Sequence, residues 1–220
     1  GVKFHNGREL TAEDFVYSIT RSLNPKVGSA VAMVYLNDIV GAQEYRDGKA
    51  DTVAGLSAPD SRTLKIQIDV PKAYFLAKLT YPTAYAVCRE EVEKTGGKIE
   101  DASMIGTGPF KLVEYRRGDR IILDANPDYF EGAPKLARME RRILLDNGSR
   151  RDKFEAGELD IADISMATYH ADKENPELQP LLRQFPRPSV FYLALNQKAY
   201  APFKNKKVRQ AFAMAVNRQQ

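Results

Sequence analysis

The stretch GVKFHNGRELTAEDFVYSITRSLNP, residues 1–25, combines strand, turn and helix signals within one short segment. Residues 2–4 have the composition of a strand. Asn6 and Gly7 follow as a dipeptide that is typical of tight turns, because both residues tolerate the backbone angles that such turns need. The chain is therefore predicted to reverse its direction before residue 11.

A helix is predicted directly after this turn. Thr11 stands three residues before Asp14, which is the spacing of a capping box with aspartate in place of the usual glutamate. Apolar residues then recur at helical spacing, at Ala12, Phe15, Val16, Ile19 and Leu23. The pair Asn24 and Pro25 is predicted to end the helix, because proline cannot continue it.

The composition is that of a globular protein. The 220 residues are 43% hydrophobic and 28% charged, and no apolar run is as long as the roughly 20 residues that cross a bilayer. The formal net charge is +4, but basic and acidic residues are mixed along the chain, so no nucleic-acid partner is predicted. The single cysteine, Cys88, excludes an intrachain disulfide, and we interpret it as a small buried residue.

Strands are predicted farther along the chain. Residues 64–68 alternate apolar and polar side chains, which indicates a half-buried strand. Two further runs, 110–115 and 120–125, flank a turn that contains Gly118, so a β-hairpin is predicted there.

A strand–helix–strand unit is predicted after the hairpin. Residues 139–146 have strand character, a helix follows and ends at Gly157, and residues 159–164 are predicted to form the next strand. Hairpins together with βα units predict an α/β or mixed α+β protein with a mixed sheet.

Gly106, Thr107 and Gly108 are too short a motif for a phosphate-binding loop. They lead into a strand rather than into a helix N-terminus, and Pro109 removes one backbone donor. We interpret the motif as a crossing point where the backbone needs glycine.

No motif predicts a catalytic residue, a metal site or a cofactor. Asp160 and Asp163 are predicted on opposite faces of one strand, whereas a glycosidase needs two carboxylates that face each other. His5 and His170 are far apart in sequence, have no metal-ligand neighbours, and are predicted in turns or at the surface. The acidic cluster to which these aspartates belong consists of Glu155, Glu158, Asp160 and Asp163.

Residues 189–196, SVFYLALN, predict a strand of aromatic and aliphatic side chains. Phe191 and Tyr192 are neighbours, so they would point to opposite sides of that strand. One side would enter a core and the other could line a ligand cleft, or both could be packed.

Four segments together resemble one known family. They are residues 1–25, the run IGTGPFKLVEYRRGDRIILDANPDYFEGAPKL at 105–136, FEAGELDIADIS at 154–165, and FYLALNQKAYAPFKNKKVRQAFAMAVNRQ at 191–219. In this order they resemble the solute-binding proteins, family 5, of ABC importers, and most of all the dipeptide- and oligopeptide-binding type. The resemblance covers essentially the whole chain.

The resemblance implies a periplasmic-binding-protein-like clamshell of two lobes that close on a ligand, of which this chain would be less than half. It implies that residues 1–108 form the extra subdomain of the first lobe and that 109–192 form part of that lobe's core. Residues 193–220 would be a hinge crossing and the start of the second lobe. The family's N-terminal strands and most of its second lobe are expected to lie outside this chain.

The resemblance also implies a function and a site. It implies capture of peptides and their delivery to membrane permease subunits, by a monomeric, non-enzymatic protein in the periplasm or outside the cell, with or without a lipid anchor. Ligand contacts are expected at Val190, Phe191 and Tyr192, and more loosely at Tyr35.

Three alternatives stay open. A family member could bind nickel chelates, haem or oligosaccharides instead of peptides. A protein of another class could be a hydrolase that uses the acidic cluster of residues 155–163. A third possibility is a binding module that signals to a receptor without transport.

Overall fold

The computed structural model describes residues 1–99, 104–186, 189–190 and 192–217, which divide into a first unit, Gly1–Asp160, and a second unit, Ile161–Gln220. The α-helices in the described residues are α1 (Ala12–Leu23), α2 (Ala32–Leu36), α3 (Ala42–Arg46), α4 (Phe75–Lys78), α5 (Arg89–Lys94), α6 (Asn147–Glu155), α7 (Met166–Glu174) and α8 (Lys206–Ala215). The strands there are β1 (Leu56–Asp60), β2 (Thr63–Ile66), β3 (Phe110–Arg116), β4 (Arg120–Ala125) and β5 (Arg138–Arg142).

The predicted turn and helix at the start of the chain are confirmed. Gly7 takes a positive φ of 88° and donates its N–H to the Phe4 carbonyl at 2.8 Å. The Thr11 N–H and hydroxyl donate to the Asp14 carboxylate at 2.8 and 3.1 Å, which caps α1. The strand predicted at residues 2–4 is wrong, because the pairing there is a single bridge between Lys3 and Glu9.

The hydrophobic core of the first unit forms around α1. Leu23 and Leu36 have no exposed surface, and Ile19 is 1% exposed. Burying each leucine side chain contributes about 1.5–3 kcal/mol before conformational costs. The buried cluster contains Ile19, Leu23, Ala32, Leu36, Ile39, Ala42, Val53, Leu56, Phe75 and Ala84.

Both sheets of the described chain are antiparallel: β1 pairs with β2, and the second sheet has the order β3-β4-β5. Leu64 and Ile66 on β2 are half-buried while their neighbours are exposed, so the predicted alternation is confirmed. The predicted hairpin is also confirmed, with Gly118 in its turn at a φ of 76°. Arg138 on β5 donates to Asp124 on β4 across the sheet at 2.6 Å.

The strand–helix–strand unit predicted after the hairpin is wrong. The strand β5 and the helix α6 are present, and Gly157 follows the helix with a φ of 73°. Residues 159–164 form no strand, and Ile161 is 85% exposed. A strand needs a neighbour for its backbone N–H and C=O groups, and no described strand pairs with this segment. The prediction of helices together with sheets is confirmed, although the described strands pair only antiparallel.

The second unit contains α7 and α8. Asn205 accepts the Lys207 N–H at 2.9 Å, so the predicted cap of α8 is confirmed. Phe203 makes edge-to-face ring contacts with Tyr200 at 4.9 Å and with Phe212 at 5.3 Å. Along the described parts of the chain, no helix is both long enough and apolar enough to cross a membrane.

Candidate functional site

The segment predicted to contact ligand lies on the surface of the second unit. Val190 is 84% exposed and Tyr192 is 82% exposed, while Phe191 lies outside the described residues. The described residues from 189 to 196 form no strand, so the strand prediction is wrong for them. An extended segment is stable only when its backbone groups have partners, and no described strand pairs with this one.

The backbone of this segment is free to make new hydrogen bonds. None of residues 189–190 and 192–195 makes a backbone–backbone hydrogen bond to another described residue. The Asn196 side chain ends the segment by accepting the N–H groups of Lys198 and Ala199 at 3.0 and 2.9 Å. An exposed apolar segment with unpaired N–H and C=O groups can pair with the main chain of a ligand.

Tyr35, the fourth predicted contact, lies on α2 in the first unit. It is half-buried against the core cluster and stacks on Tyr81, with ring centroids 3.7 Å apart and an angle of 7° between the ring planes. This partner could not be predicted, because stacking of two rings that are distant along the chain leaves no periodic pattern in the sequence. Val190 and Tyr192 belong to the other unit, so the predicted contacts are divided between the two units.

A buried carboxylate lies close to the tyrosine stack along the chain. Asp38 is 4% exposed and accepts hydrogen bonds from the Nζ atoms of Lys72 and Lys78, each at 2.6 Å. Burial alone would raise the pKa of the Asp38 carboxyl, but these lysine hydrogen bonds outweigh burial and lower it. Asp38, Lys72 and Lys78 are called the Asp38 clamp below.

Arg8 pairs with the buried Asp14 inside the opening stretch and with the more exposed Glu90 on α5. The Arg8 guanidinium binds the Asp14 carboxylate through two hydrogen bonds of 2.6 and 3.0 Å and lies 2.9 Å from Glu90. Burial would raise the pKa of Asp14, but the bonds from Arg8 lower it overall. Cys88 is completely buried, as predicted, and its Sγ lies 3.3 Å from Glu90.

His5 attaches the Gly106–Gly108 segment to the opening turn. The backbone N–H of His5 donates to the Gly106 carbonyl at 2.8 Å, and the ring atom Nδ1 accepts the backbone N–H of Gly106 at 3.4 Å. Nε2 lies 2.9 Å from the Gly108 carbonyl, so the tautomer with the proton on Nε2 satisfies both ring nitrogens. Asn126 Nδ2 also donates to the Gly108 carbonyl, at 3.1 Å.

The prediction that the backbone needs glycine at this crossing is wrong for both residues. Neither Gly106 nor Gly108 has a positive φ. A Cβ on Gly108 would meet no atom within 4 Å, and one on Gly106 would lie 3.8 Å from the His5 ring.

The acidic residues at the end of α6 are engaged in ion pairs. Glu155 pairs with Arg151 at 2.7 Å, and Glu158 pairs with Lys153 at 2.6 Å. The hydrogen bond from Lys153 lowers the pKa of Glu158, whereas a catalytic general acid needs a raised pKa. Asp160 and Asp163 do not lie on opposite faces of a strand, because residues 159–164 form none. No group of three or more metal-ligand side chains occurs among the described residues.

A groove of about 1170 Å³ lies beside α1 in the first unit and was not predicted from the sequence. Tyr17, Arg21 and Tyr45 contribute to its walls. Most of its charged side chains already have partners, such as Arg8 with Asp14 and Arg89 with Glu93. We therefore assign no ligand to this groove, and the contacts predicted in each unit stay separate predictions.

Comparison with known proteins gives a consistent picture. The family model described as bacterial extracellular solute-binding proteins, family 5 Middle, matches residues 1–220. The dipeptide-binding protein DppE of Bacillus subtilis is 31% identical over 99% of this chain and 40% of its own length. The heme-binding protein A of Haemophilus influenzae is 32% identical over 99% of this chain and 41% of its own length.

A solved structure shows the same fold. Haemophilus influenzae OppA, in complex with the peptide RPPGFSPFR, superposes with a TM-score of 0.79 over 99% of this chain and 43% of that chain, at 24% identity. The chain therefore has a periplasmic-binding-protein-like fold, and it spans about 40% of the length of these relatives.

Proposed function

The chain belongs to the bacterial extracellular solute-binding proteins, family 5, and from this membership we propose that the protein captures peptides for an ABC importer. The observation that carries the choice of peptide is the exposed segment around Val190 and Tyr192, with backbone groups that no described residue pairs. A peptide offers complementary backbone groups along its whole length, and pairing of this kind gives affinity with little side-chain selectivity. The dipeptide-binding relative supports the same choice.

The domain organisation belongs to this proposal. Residues 1–108 would be the extra subdomain of the first lobe, 109–192 part of its core, and 193–220 the hinge crossing and the start of the second lobe. Lobe closure would enclose the ligand, and the closed protein would dock on permease subunits in the membrane. The proposed location is the periplasm or the cell exterior.

Binding rather than catalysis is proposed because the family and its relatives are named for binding and because Glu155 and Glu158 are held in ion pairs. The heme-binding relative makes haem the natural competing ligand to include in any experiment.

The test uses the protein encoded by the complete reading frame, with isothermal titration calorimetry against dialanine, trialanine and haem. We expect saturable binding of at least one peptide with a micromolar Kd. Binding of haem but of neither peptide would replace the proposed ligand class, and hydrolysis of either peptide would contradict a pure binding function.

A second experiment tests main-chain pairing at the segment itself. Tyr192→Ala keeps the backbone N–H, whereas Tyr192→Pro removes it. Neighbouring N–H groups of an extended segment point in opposite directions, so Tyr192→Pro and Leu193→Pro should differ in effect. We expect one of the two proline variants to weaken peptide binding about five- to tenfold, as for one lost hydrogen bond. Equal Kd values for all three variants would mean that the segment makes no main-chain hydrogen bond to the peptide.

A further inference from the structure

The sequence contains two asparagine–glycine dipeptides, at residues 6–7 and 147–148. We infer that Asn147 is a site of spontaneous deamidation, a covalent modification of this protein, and that the fold protects Asn6 from the same reaction. This modification does not depend on what the protein binds.

Deamidation at such a dipeptide needs only water. The backbone nitrogen of the glycine loses its proton to a base in the solvent and bonds to the asparagine Cγ, ammonia leaves, and a five-membered succinimide ring forms. Water then opens the ring at either carbonyl and yields aspartate or isoaspartate, so that a water molecule is consumed for each ammonia released. Glycine favours ring closure because it has no Cβ beside the attacking nitrogen and few restrictions on its backbone angles.

The dipeptide at residues 6–7 is held by hydrogen bonds on both sides of the reacting atoms. The Gly7 N–H donates to the Phe4 carbonyl at 2.8 Å. The Asn6 Oδ1 accepts the Arg8 N–H at 3.1 Å, and Asn6 Nδ2 donates to Glu91 on α5 at 3.3 Å. The attacking nitrogen and the amide are thus both engaged, so the reaction must wait for a local opening of this turn.

The dipeptide at residues 147–148 lies in the first turn of α6, where a backbone N–H has no carbonyl of its own helix to bond. No other described carbonyl accepts the Gly148 N–H. The Asp146 carboxylate accepts the Ser149 N–H at 2.7 Å and the Ser149 hydroxyl at 3.0 Å, and it interacts more weakly with the Gly148 N–H. The attacking nitrogen of this dipeptide is therefore held less firmly than that of Gly7.

The amide of Asn147 is also weakly held. Its Oδ1 accepts one long contact, from the Arg150 Nη1 at 3.4 Å. No residue of α6 is buried, so the first turn of this helix opens at a low cost in free energy. Asn6 and Asn147 are both exposed, so their hydrogen bonds and packing, rather than their access to water, distinguish them.

The modification changes the start of α6. An aspartate at position 147 adds a negative charge at the positive end of the helix, which favours the helix. An isoaspartate instead adds a methylene group to the backbone of the first turn, next to the cap that Asp146 makes with Ser149. We expect the isoaspartyl form to lose this cap and the aspartyl form to keep it.

The test compares the two dipeptides within one protein. The protein from the complete reading frame is incubated in mildly alkaline buffer and digested with trypsin, which releases FHNGR (residues 4–8) and ILLDNGSR (residues 143–150). Mass spectrometry of the two peptides measures the conversion of each amide to an acid. We expect residue 147 to convert about ten times faster than residue 6, because Asn6 must first break the hydrogen bond between Gly7 and Phe4.

Unfolding in urea is the control for the structural cause. Both dipeptides have the same two residues, so in urea their rates should agree within about twofold. Equal rates in the folded protein, or faster conversion of residue 6, would overturn the inference. A tenfold difference that persists in urea would mean that neighbouring sequence, and not the fold, protects Asn6.

Gly148→Ala tests the attacking nitrogen. Gly148 has no positive φ, so alanine fits the helix, and its Cβ would crowd the nitrogen that closes the ring. We expect conversion at residue 147 to slow about tenfold while conversion at residue 6 stays the same. An unchanged rate at residue 147 would overturn the succinimide route. Asn147→Gln, which lengthens the side chain by a methylene group, should likewise abolish the rapid conversion of peptide 143–150.

Discussion

At the scale of single residues, the polar side chains of the opening stretch have structural roles that could be predicted only in part. The Thr11–Asp14 cap follows from local spacing and is confirmed. The same Asp14 also binds Arg8, and His5 holds the Gly106–Gly108 segment. The His5 contacts join residues about a hundred positions apart, so no pattern along the chain reports them. The Asp38 clamp could not be predicted either, because Lys72 and Lys78 are 34 and 40 positions from Asp38.

The Asp38 clamp predicts a specific dependence of stability on pH. The pKa of Asp38 is lower in the folded protein than its ordinary value of 3.8. The clamp therefore stabilises the fold fully above about pH 5, where the carboxyl is ionised in both states, and loses this effect as the pH falls through the lowered pKa. Asp38→Asn should cost about 3 kcal/mol in free energy of unfolding at pH 7, as expected for a buried pair that loses one partner.

Urea unfolding at several pH values measures this effect. The stability difference between the unsubstituted protein and Asp38→Asn should be constant from about pH 7 to pH 5 and should shrink below about pH 4. Asp47→Asn, which removes a more exposed carboxylate paired with Lys49, is the control and should cost much less. A difference that stays the same at low pH would mean that the clamp does not act through the charge on Asp38.

At the scale of secondary-structure elements, prediction succeeded where the signal is local. The helix α1 and the β3–β4 hairpin each carry their own cap or turn residue, so both could be predicted. The strands predicted at 159–164 and 189–196 have apolar residues of the right kind, but a strand also needs a neighbour. Whether a neighbour is present cannot be deduced from the composition of the segment itself.

Glycines with and without a positive φ give a second prediction at the scale of secondary-structure elements. Gly118 has a φ of 76°, so Gly118→Ala should cost about 1 kcal/mol through backbone strain, although a Cβ there meets no atom within 4 Å. Gly108 has open space and no positive φ, so Gly108→Ala should change the free energy of unfolding by less than about 0.5 kcal/mol. Thermal unfolding of both variants measures this, and equal costs would contradict the assignment of strain to φ.

At the scale of the whole molecule, the two units differ in how well they are packed. All of the buried hydrophobic side chains in the described residues lie in the first unit, between Phe4 and Val92. In the second unit the apolar residues Val190, Tyr192 and Met214 are more than four-fifths exposed. The family and the fold class could be predicted from the order of four motifs, whereas the boundaries of the domains stay a prediction.

This difference predicts the order of proteolysis of the 220-residue chain. Segments with few buried contacts open at low free energy, so trypsin should cut first in the second unit, for example at Lys198 and Lys207. Lys26 and Lys49 are also exposed but lie beside the packed core, and they should be cut later. Mass spectrometry of a time course measures the order, and early cleavage at Lys26 or Lys49 would contradict it.

The contacts of the opening stretch also have a consequence for the order in which the protein folds. His5 and Arg8 complete their hydrogen bonds only with Gly106, Gly108 and Glu90, about a hundred positions later in the chain. During synthesis these two residues therefore wait until residues 90–108 have been made. Contacts of such long sequence separation slow folding, because a long loop must close before they form.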